Sequence, residues 1–279
     1  MSHLSELYLH KTALKDLPLE HLTGLIKLDL RECKNLSSLL NAICYLKSLK
    51  TLTLSGCSKL DELPENLGNV ESLMELDVSR TAITGLPSSV VRLKNLKALS
   101  LYGCEGLSPK SSKNFLTFPL MPRRRSPDPL CMLERSLSGL QSLTYLNLSY
   151  CNLPAISDVL GCLSSLIELN LRGNNFIFLP KSIIQLSNLK NLSLSGCTGL
   201  RLLPELPLNI ERIEAVGCTS LETLSIRPED NFGPTLNLHH CVKLIENEGY
   251  GDVLSTMLRH YLLNDQVWLS LFLSLLVSP

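Results

Sequence analysis

The sequence has few aromatic residues, no excess of charge of either sign and no long hydrophobic run. Aromatic residues make up only 5% of the 279 residues, and 26 basic residues balance 26 acidic ones. A zero net charge argues against general binding of nucleic acid or of anionic membranes, which requires a basic excess. No apolar stretch reaches the ~18 residues of a transmembrane helix, so we expect no membrane-spanning segment.

Motifs of the common catalytic and cofactor sites are also missing. The sequence lacks the patterns G-x-S-x-G, H-E-x-x-H and G-x-G-x-x-G. The tightest group of potential metal ligands is His239, His240 and Cys241, but neighbouring side chains on a strand point to opposite faces. We therefore predict a protein that is not an enzyme and has no cofactor and no metal site.

The cysteines and the first residues indicate the compartment. The opening segment MSHLSELYLHK contains no apolar run, which argues against a secretory signal peptide. Without such a signal, ten cysteines in a chain of this length fit reduced thiols better than a disulfide framework. We expect a protein of the cytoplasm or the nucleus.

Leucine is in large excess, with 67 residues that follow a regular register. Successive copies of L-x-x-L-x-L-x-x-(C/T/N) mostly begin 21 to 24 residues apart, within the ~20–29-residue period of leucine-rich repeats. The two leucines of L-x-L point the same way along a strand, so stacked copies bury them together. The copies begin at Leu4, Leu25, Leu49, Leu73, Leu96, Leu143, Leu166 and Leu189, with a weaker copy at Ile210 and a partial one at Leu236.

This register predicts an α/β fold. We expect a leucine-rich-repeat solenoid of about ten turns over residues 1–244, a right-handed β-α superhelix or horseshoe with a parallel sheet on its concave side. The ninth repeat position is small and weakly polar, and seven of the ten cysteines occupy it. Such side chains can bond to backbone groups in the turn after the strand. We predict a structural turn position at Thr12, Cys33, Cys57, Thr81, Cys104, Cys151, Asn174, Cys197, Cys218 and Cys241.

Two segments depart from the repeat. One spacing is 47 residues, and the extra residues at about 108–138 contain five prolines and the run Arg123, Arg124 and Arg125. We expect a projecting loop there, which is either a spacer, a contact arm for an acidic partner or a localisation signal. The apolar tail at 245–279 is interpreted as a helical cap over the end of the solenoid, a membrane-surface anchor or a segment without a native partner.

The concave face is the predicted binding surface. Residues that alternate with the strand leucines should line it, and many of these are small and polar. Tyrosine and arginine are enriched among residues that dominate binding energy at interfaces. We predict protein contacts at Tyr8, Lys27, Arg31, Tyr102, Tyr145 and Arg172, while the alternative is a solvated strand face.

Several sequence segments match one particular class of leucine-rich repeat more closely than the general repeat pattern requires. The segments LSGCSKLDELPENLGNVESL (54–73), LDVSRTAITGLPSSVVRLKNLKALSLYGCEGL (76–107) and LSLSGCTGLRLLPELPLNIERIEAVGCTSLETL (192–224) resemble the leucine-rich repeats of plant TIR-NBS-LRR disease-resistance proteins. The resemblance covers roughly residues 1–244. In that family the region follows a TIR domain and a nucleotide-binding module, and contributes to sensing pathogen effectors and to holding the receptor inactive. The resemblance implies a protein partner, either an effector or the receptor's own nucleotide-binding module.

The chain also departs from that family. It contains no TIR domain and no G-x-x-x-x-G-K-[ST] loop, so neither NAD cleavage nor ATP or ADP binding carries over. The register predicts that Leu4 is already a core leucine of the first repeat, and we expect a fragment or a truncated form. Two other functions remain open: a leucine-rich-repeat scaffold or regulatory subunit unrelated to defence, and a non-functional truncated product.

Overall fold

Each L-x-L segment of the repeat forms a short β-strand of three residues, with a leucine or Ile213 at its centre. The computed structural model describes residues 4–15, 19, 21–39, 41–108, 133, 135–225 and 235–246. The chain divides into two compact units, the first of residues 1–96 and 101–140 and the second of residues 97–100 and 141–279.

In its described residues, unit 1 has four parallel strands whose leucines stack in register. Leu7 lies opposite Leu28, Leu28 opposite Leu52, and Leu52 opposite Leu76. The last three are at most 1% exposed, so they form a continuous leucine core that no single turn could bury alone. Short 3₁₀-helices follow several of the strands in the described residues of this unit. The elements are β1 (Glu6–Tyr8), β2 (Lys27–Asp29), β3 (Thr51–Thr53), β4 (Glu75–Asp77), η1 (Asn41–Tyr45), η2 (Leu67–Asn69), η3 (Ser88–Arg92) and η4 (Glu105–Leu107).

Unit 2 repeats this arrangement and adds a second small sheet. Near Pro204 and Pro207, which lack a backbone donor, the return segment is extended and pairs in parallel with the next repeat. The strands of the main sheet are β5 (Ala98–Ser100), β6 (Tyr145–Asn147), β7 (Glu168–Asn170), β8 (Asn191–Ser193), β10 (Arg212–Glu214) and β12 (Thr235–Asn237). The remaining elements are β9 (Leu202–Leu203) and β11 (Thr223–Leu224) of the small sheet, η5 (Asp158–Cys162), η6 (Lys181–Gln185) and an α-helix at Val242–Glu246. These parallel leucine-centred strands confirm the predicted leucine-rich-repeat fold.

Most turn residues join their repeat to the one before it. The Cys57 thiol donates a hydrogen bond to the Leu30 carbonyl at 3.1 Å, and the Cys197 thiol donates one to the Leu171 carbonyl at 3.2 Å. Burial raises the pKa of both thiols to about 11, so they remain protonated donors. Equivalent thiol bonds reach the preceding repeat from Cys33, Cys104, Cys218 and Cys241.

The other turn residues bond to nearby backbone groups. The hydroxyls of Thr12 and Thr81 donate to carbonyls three residues earlier, at 2.8 and 2.7 Å, and the Cys151 thiol donates to the Ser149 carbonyl at 3.6 Å. Asn174 is fully buried and bonds to three backbone groups. All ten turn residues therefore supply the side-chain partners that turn backbone requires.

The residue before the turn position has a left-handed backbone in all ten repeats. Five of these residues are glycine, which adopts a positive φ without steric cost. The other five have φ between 53° and 60°, a conformation that costs roughly 1–2 kcal/mol for a residue with a Cβ. The ten residues are Lys11, Glu32, Gly56, Arg80, Gly103, Tyr150, Gly173, Gly196, Gly217 and His240.

Part of the expected insertion packs into unit 1. Leu133 and Leu137 are 2% and 4% exposed, and the Ser136 hydroxyl donates to the Leu86 carbonyl at 3.3 Å. The end of the 108–138 segment thus contributes to the core and does not project. Arg123, Arg124 and Arg125, and the tail from residue 247 onward, lie outside the described residues.

Candidate protein-binding surface

The residues on either side of each strand leucine point away from the core and form the surface that we call the open strand face. Alternation along a strand places the first and third strand residues there, together with the residue two positions further on. In unit 1 the open strand face consists of Glu6, Tyr8, His10, Lys27, Asp29, Arg31, Thr51, Thr53, Ser55, Glu75, Asp77, Ser79 and Tyr102. In unit 2 its central residues are Tyr145, Asn147, Ser149, Glu168, Asn170, Arg172, Asn191, Ser193, Ser195, Arg212 and Glu214.

Tyr8 and Lys27 form a cation–aromatic pair on β1 and β2. The Lys27 ammonium lies 5.3 Å from the centroid of the Tyr8 ring, and the Tyr8 hydroxyl donates to a carboxylate oxygen of Glu6 at 2.5 Å. Tyr8 is nevertheless 47% exposed. Because the ring face and the hydroxyl of Tyr8 both have partners already, little conformational entropy of this side chain is lost when a partner protein contacts it.

Arg31 is held by a buried carboxylate beneath it. Its Nε lies 3.0 Å from both carboxylate oxygens of Asp29, and its Nη2 lies 2.6 Å from one of them. Burial opposes ionisation of Asp29, but the hydrogen bonds and positive charge of Arg31 outweigh it and lower the pKa of the carboxyl. The Asp29 side chain is 2% exposed and that of Arg31 is 55% exposed, so the pair presents mainly its cation to solvent.

Tyr102 pairs with a residue that the sequence did not suggest. The Arg80 guanidinium lies 5.0 Å from the centroid of the Tyr102 ring and donates to the Tyr102 hydroxyl at 3.2 Å. Arg80 is one of the residues with a left-handed backbone, and its stem passes over Gly103. The repeat register alone identifies Arg80 as the residue before the turn position and gives no indication of this contact.

In unit 2 Arg172 reaches across a strand to an acidic residue. It forms an ion pair with Glu214 of β10, although β8 lies between β10 and the strand that precedes Arg172. The intervening positions are serines, Ser193 and Ser195, whose short side chains leave room for the arginine. A second cation, Arg212, lies 4.0 Å from Glu214, and sequence analysis had identified neither Glu214 nor Arg212.

The remaining predicted contact residue, Tyr145, is half-buried on β6. Its hydroxyl accepts a hydrogen bond from the Asn147 side chain at 3.2 Å. The structure thus pairs Tyr8 with Lys27, while the other four predicted residues each contact a residue outside the predicted set: Arg31, Tyr102, Tyr145 and Arg172. Their role in binding stays a prediction.

Several acidic and amide residues of the open strand face have a local structural role. The Asp77 carboxylate accepts a hydrogen bond from the Ser79 N–H at 2.9 Å, and the Asn147 side chain accepts one from the Ser149 N–H at 3.0 Å. The same contact, from a side chain to the N–H two residues later, occurs at Asp29, Asn170 and Asn237. These residues end their strands, which makes them weaker candidates for partner contacts.

Other kinds of site have no support in the described part of the chain. Over these residues no group of three or more histidine, cysteine or acidic side chains is arranged to hold a metal ion. No helix among them is long and apolar enough to span a membrane.

Comparisons with known proteins agree with this architecture. A family described as "Leucine-rich repeat region" matches residues 3–117, and one described as "Leucine Rich Repeat" matches residues 142–163. The leucine-rich repeat domain of the type III effector XopL superimposes with a TM-score of 0.58 at 23% identity, over 86% of this chain and 70% of that one. InlJ of Listeria monocytogenes, described as including a cysteine ladder, gives 0.58 at 19% identity, over 84% of this chain and 44% of that one. At these identities the likeness concerns the fold alone.

The curated relatives are plant proteins of disease resistance. TMV resistance protein N of Nicotiana glutinosa is 38% identical over 213 residues, which cover 75% of this chain and 17% of that protein. Disease resistance-like protein DSC1 of Arabidopsis thaliana is 38% identical over 221 residues, 78% of this chain and 16% of that protein. Disease resistance protein RPS4B of Arabidopsis thaliana is 30% identical over 240 residues, 85% and 14%. The chain thus spans only 14 to 17% of the length of these relatives.

Proposed function

We propose that this chain is the protein-recognition region of a plant immune receptor. The chain belongs to the leucine-rich-repeat family, and its repeats are related to those of plant disease-resistance proteins. In this role it contributes to sensing pathogen effectors and to holding the receptor inactive. Its partners are then an effector and the nucleotide-binding module of the receptor. We infer a binding role without catalysis, in the cytoplasm or the nucleus.

The observation that carries this proposal is that aromatic and cationic side chains on the open strand face are fixed by contacts with their neighbours although they remain exposed. Tyr8, Arg31 and Tyr102 are each fixed by a hydrogen bond or an ion pair, yet Tyr8 and Arg31 remain about half exposed. Side chains of these types dominate binding energy at interfaces, and fixing them beforehand lowers the entropic cost of association.

Autoinhibition and sensing fit one surface through a shift of populations. A partner that binds only the inactive arrangement of a receptor stabilises that arrangement, and a second partner that binds the freed surface favours the active one. The repeat sheet is well suited to this role because its backbone is fixed in every turn by side-chain hydrogen bonds. The difference between the two states then lies in what occupies the open strand face.

A chimaeric receptor tests the proposal. The chain replaces the corresponding repeats of TMV resistance protein N, and the chimaera is expressed in leaves with spontaneous cell death as the readout. We expect it to stay silent, and we expect Tyr102→Ala with Arg172→Ala to release it. The control, Lys50→Ala with Lys190→Ala, removes exposed charges that precede their strands and should leave it silent. Constitutive death from the unaltered chimaera, or equal behaviour of the two variants, would refute the proposal.

A further inference from the structure

Strand β2 and the turn that follows it carry two cations of the open strand face, Lys27 and Arg31, on either side of a buried carboxylate. Lys27 and Arg31 are four residues apart on an extended segment, which separates them by roughly 13 Å. Arg31 donates to Asp29 through Nε and Nη2, and its Nη1 has no hydrogen-bond partner among the described residues. The Lys27 ammonium lies over the Tyr8 ring and, within the described ranges, pairs with no carboxylate. Both cations therefore retain donors to which no described residue is hydrogen-bonded.

The strand beside these cations leaves space above them. Lys27 lies opposite Thr51 and Asp29 lies opposite Thr53. Ser55 continues the same column, so β3 presents only short polar side chains that are half exposed. Strand β3 therefore places no large side chain beside the two cations.

The next strand changes the sign of the charge. Glu75 is exposed at the start of β4, and Asp77 is half-buried at its end. Among the residues that the structure describes, the Glu75 carboxylate has only a long hydrogen bond, at 3.4 Å, from the Thr51 hydroxyl. An acidic partner group is attracted over β2 and repelled over β4, which fixes its position on the sheet.

We propose that Lys27 and Arg31, with the Tyr8 ring beside them, bind an acidic segment of the protein partner that runs along β2. Two of its carboxylates lie about 13 Å apart, the spacing of residues four apart in an extended chain. Arg31 offers the end of its guanidinium to one carboxylate, and Lys27 offers its ammonium to the other. This inference rests on the proposed function and names the chemistry of the partner at that surface.

Labelled peptides test the inference directly. A fluorescent peptide with glutamates at its third and seventh positions is titrated with the full chain at low salt, and fluorescence anisotropy gives the Kd. Versions with glutamine or lysine at those positions are titrated in the same way. We expect the glutamate peptide to bind at least about tenfold more tightly than the glutamine peptide, and added salt to remove most of the difference.

Matched variants keep the test specific. Lys27→Ala with Arg31→Ala should remove the preference for glutamate, whereas Lys50→Ala with Lys59→Ala removes the same charge elsewhere in unit 1 and should preserve it. Loss of Arg31 leaves Asp29 buried without its cation, so Asp29→Asn with Arg31→Ala serves as a second variant if the first is unfolded by circular dichroism.

The outcomes separate this inference from the proposed function. Equal binding of the glutamate and glutamine peptides would overturn the inference even if the chimaeric receptor is silent as expected. A preference for glutamate that is as strong in the variant Lys27→Ala with Arg31→Ala as in the control Lys50→Ala with Lys59→Ala would also overturn it. A preference that depends on Lys27 and Arg31 supports it even if the chimaera is constitutively active, because the peptides bind the chain without any other receptor module.

Discussion

Replacing Asn174 should reveal how much one turn residue contributes to the stability of unit 2. Its side-chain NH₂ donates to the carbonyls of Leu148 at 2.9 Å and Leu171 at 2.8 Å, and its oxygen accepts from the Leu153 N–H at 2.9 Å. Asn174→Ala removes all three hydrogen bonds at a fully buried site. At about 1 kcal/mol for each bond, we expect a loss of about 3 kcal/mol in the free energy of unfolding.

Cysteine at the same position should be much less damaging. Its thiol can donate to the Leu148 carbonyl, as the Cys197 thiol does to the Leu171 carbonyl one repeat later. The Leu171 carbonyl keeps that bond from Cys197, so only the Leu153 N–H loses its partner. We therefore expect Asn174→Cys to cost about 1–2 kcal/mol.

Urea unfolding followed by circular dichroism measures both variants. Cys197→Ala is the control, because it removes one thiol bond to a carbonyl that Asn174 still satisfies. We expect it to cost about 1 kcal/mol. An alanine variant at 174 no less stable than this control, or a cysteine variant at 174 as unstable as the alanine one, would show that the turn residues do not act through these hydrogen bonds.

Three further predictions concern other repeat positions. Gly173→Ala should lower Tm more than Gly217→Ala. Both glycines have a positive φ, but of the two only a Cβ at position 173 would lie 2.5 Å from a tyrosine ring. Equal shifts in Tm would contradict this. When the folded chain is treated with iodoacetamide and the modified cysteines are mapped by mass spectrometry, exposed Cys162 should be modified well before Cys197. Alkylation needs the thiolate, and burial raises the pKa of Cys197 to about 11. Equal rates of modification would count against this prediction. Asp29→Asn should lower the free energy of unfolding at pH 7. This loss should shrink as the pH falls from about 4 through the lowered pKa of Asp29, because protonation removes the charge of the carboxylate in the unaltered chain as well. A difference between the two proteins that does not change with pH in urea titrations would rule this out.

The sequence was sufficient for the parts of the structure that depend on local periodicity. Strand positions and the buried stack follow from the alternation of side chains around leucines such as Leu28 and Leu52, which are fully buried. The turn position follows because buried backbone groups need partners and only small polar side chains fit there. These features recur at the same position of every copy, so the sequence shows them even though many of the contacts join neighbouring repeats.

Features that depend on contacts between repeats were not predictable in the same way. The Arg172–Glu214 ion pair joins residues 42 apart and depends on the two serines between them. The left-handed backbone before the turn position has no uniform residue type, since glycine occupies only five of the ten positions. One signal was available: an aspartate or asparagine at the third strand position predicts a hydrogen bond to the N–H two residues later.

The columns of the repeat differ in how freely their residues can change. A substitution at Leu28 creates a cavity, and one at Asp29 breaks an ion pair and a strand-ending hydrogen bond. Lys27, Thr51 and Glu75 occupy the first strand position, where contacts are made at the surface and substitutions typically change stability by about 0.5 kcal/mol or less. Charge at this column can therefore change without loss of the fold. Under the inference above, the charges of Lys27 over β2 and Glu75 over β4 can change at little cost in stability, whereas Arg31 is tied to the buried Asp29. The first strand position therefore allows a recognition surface to diversify on a fixed backbone.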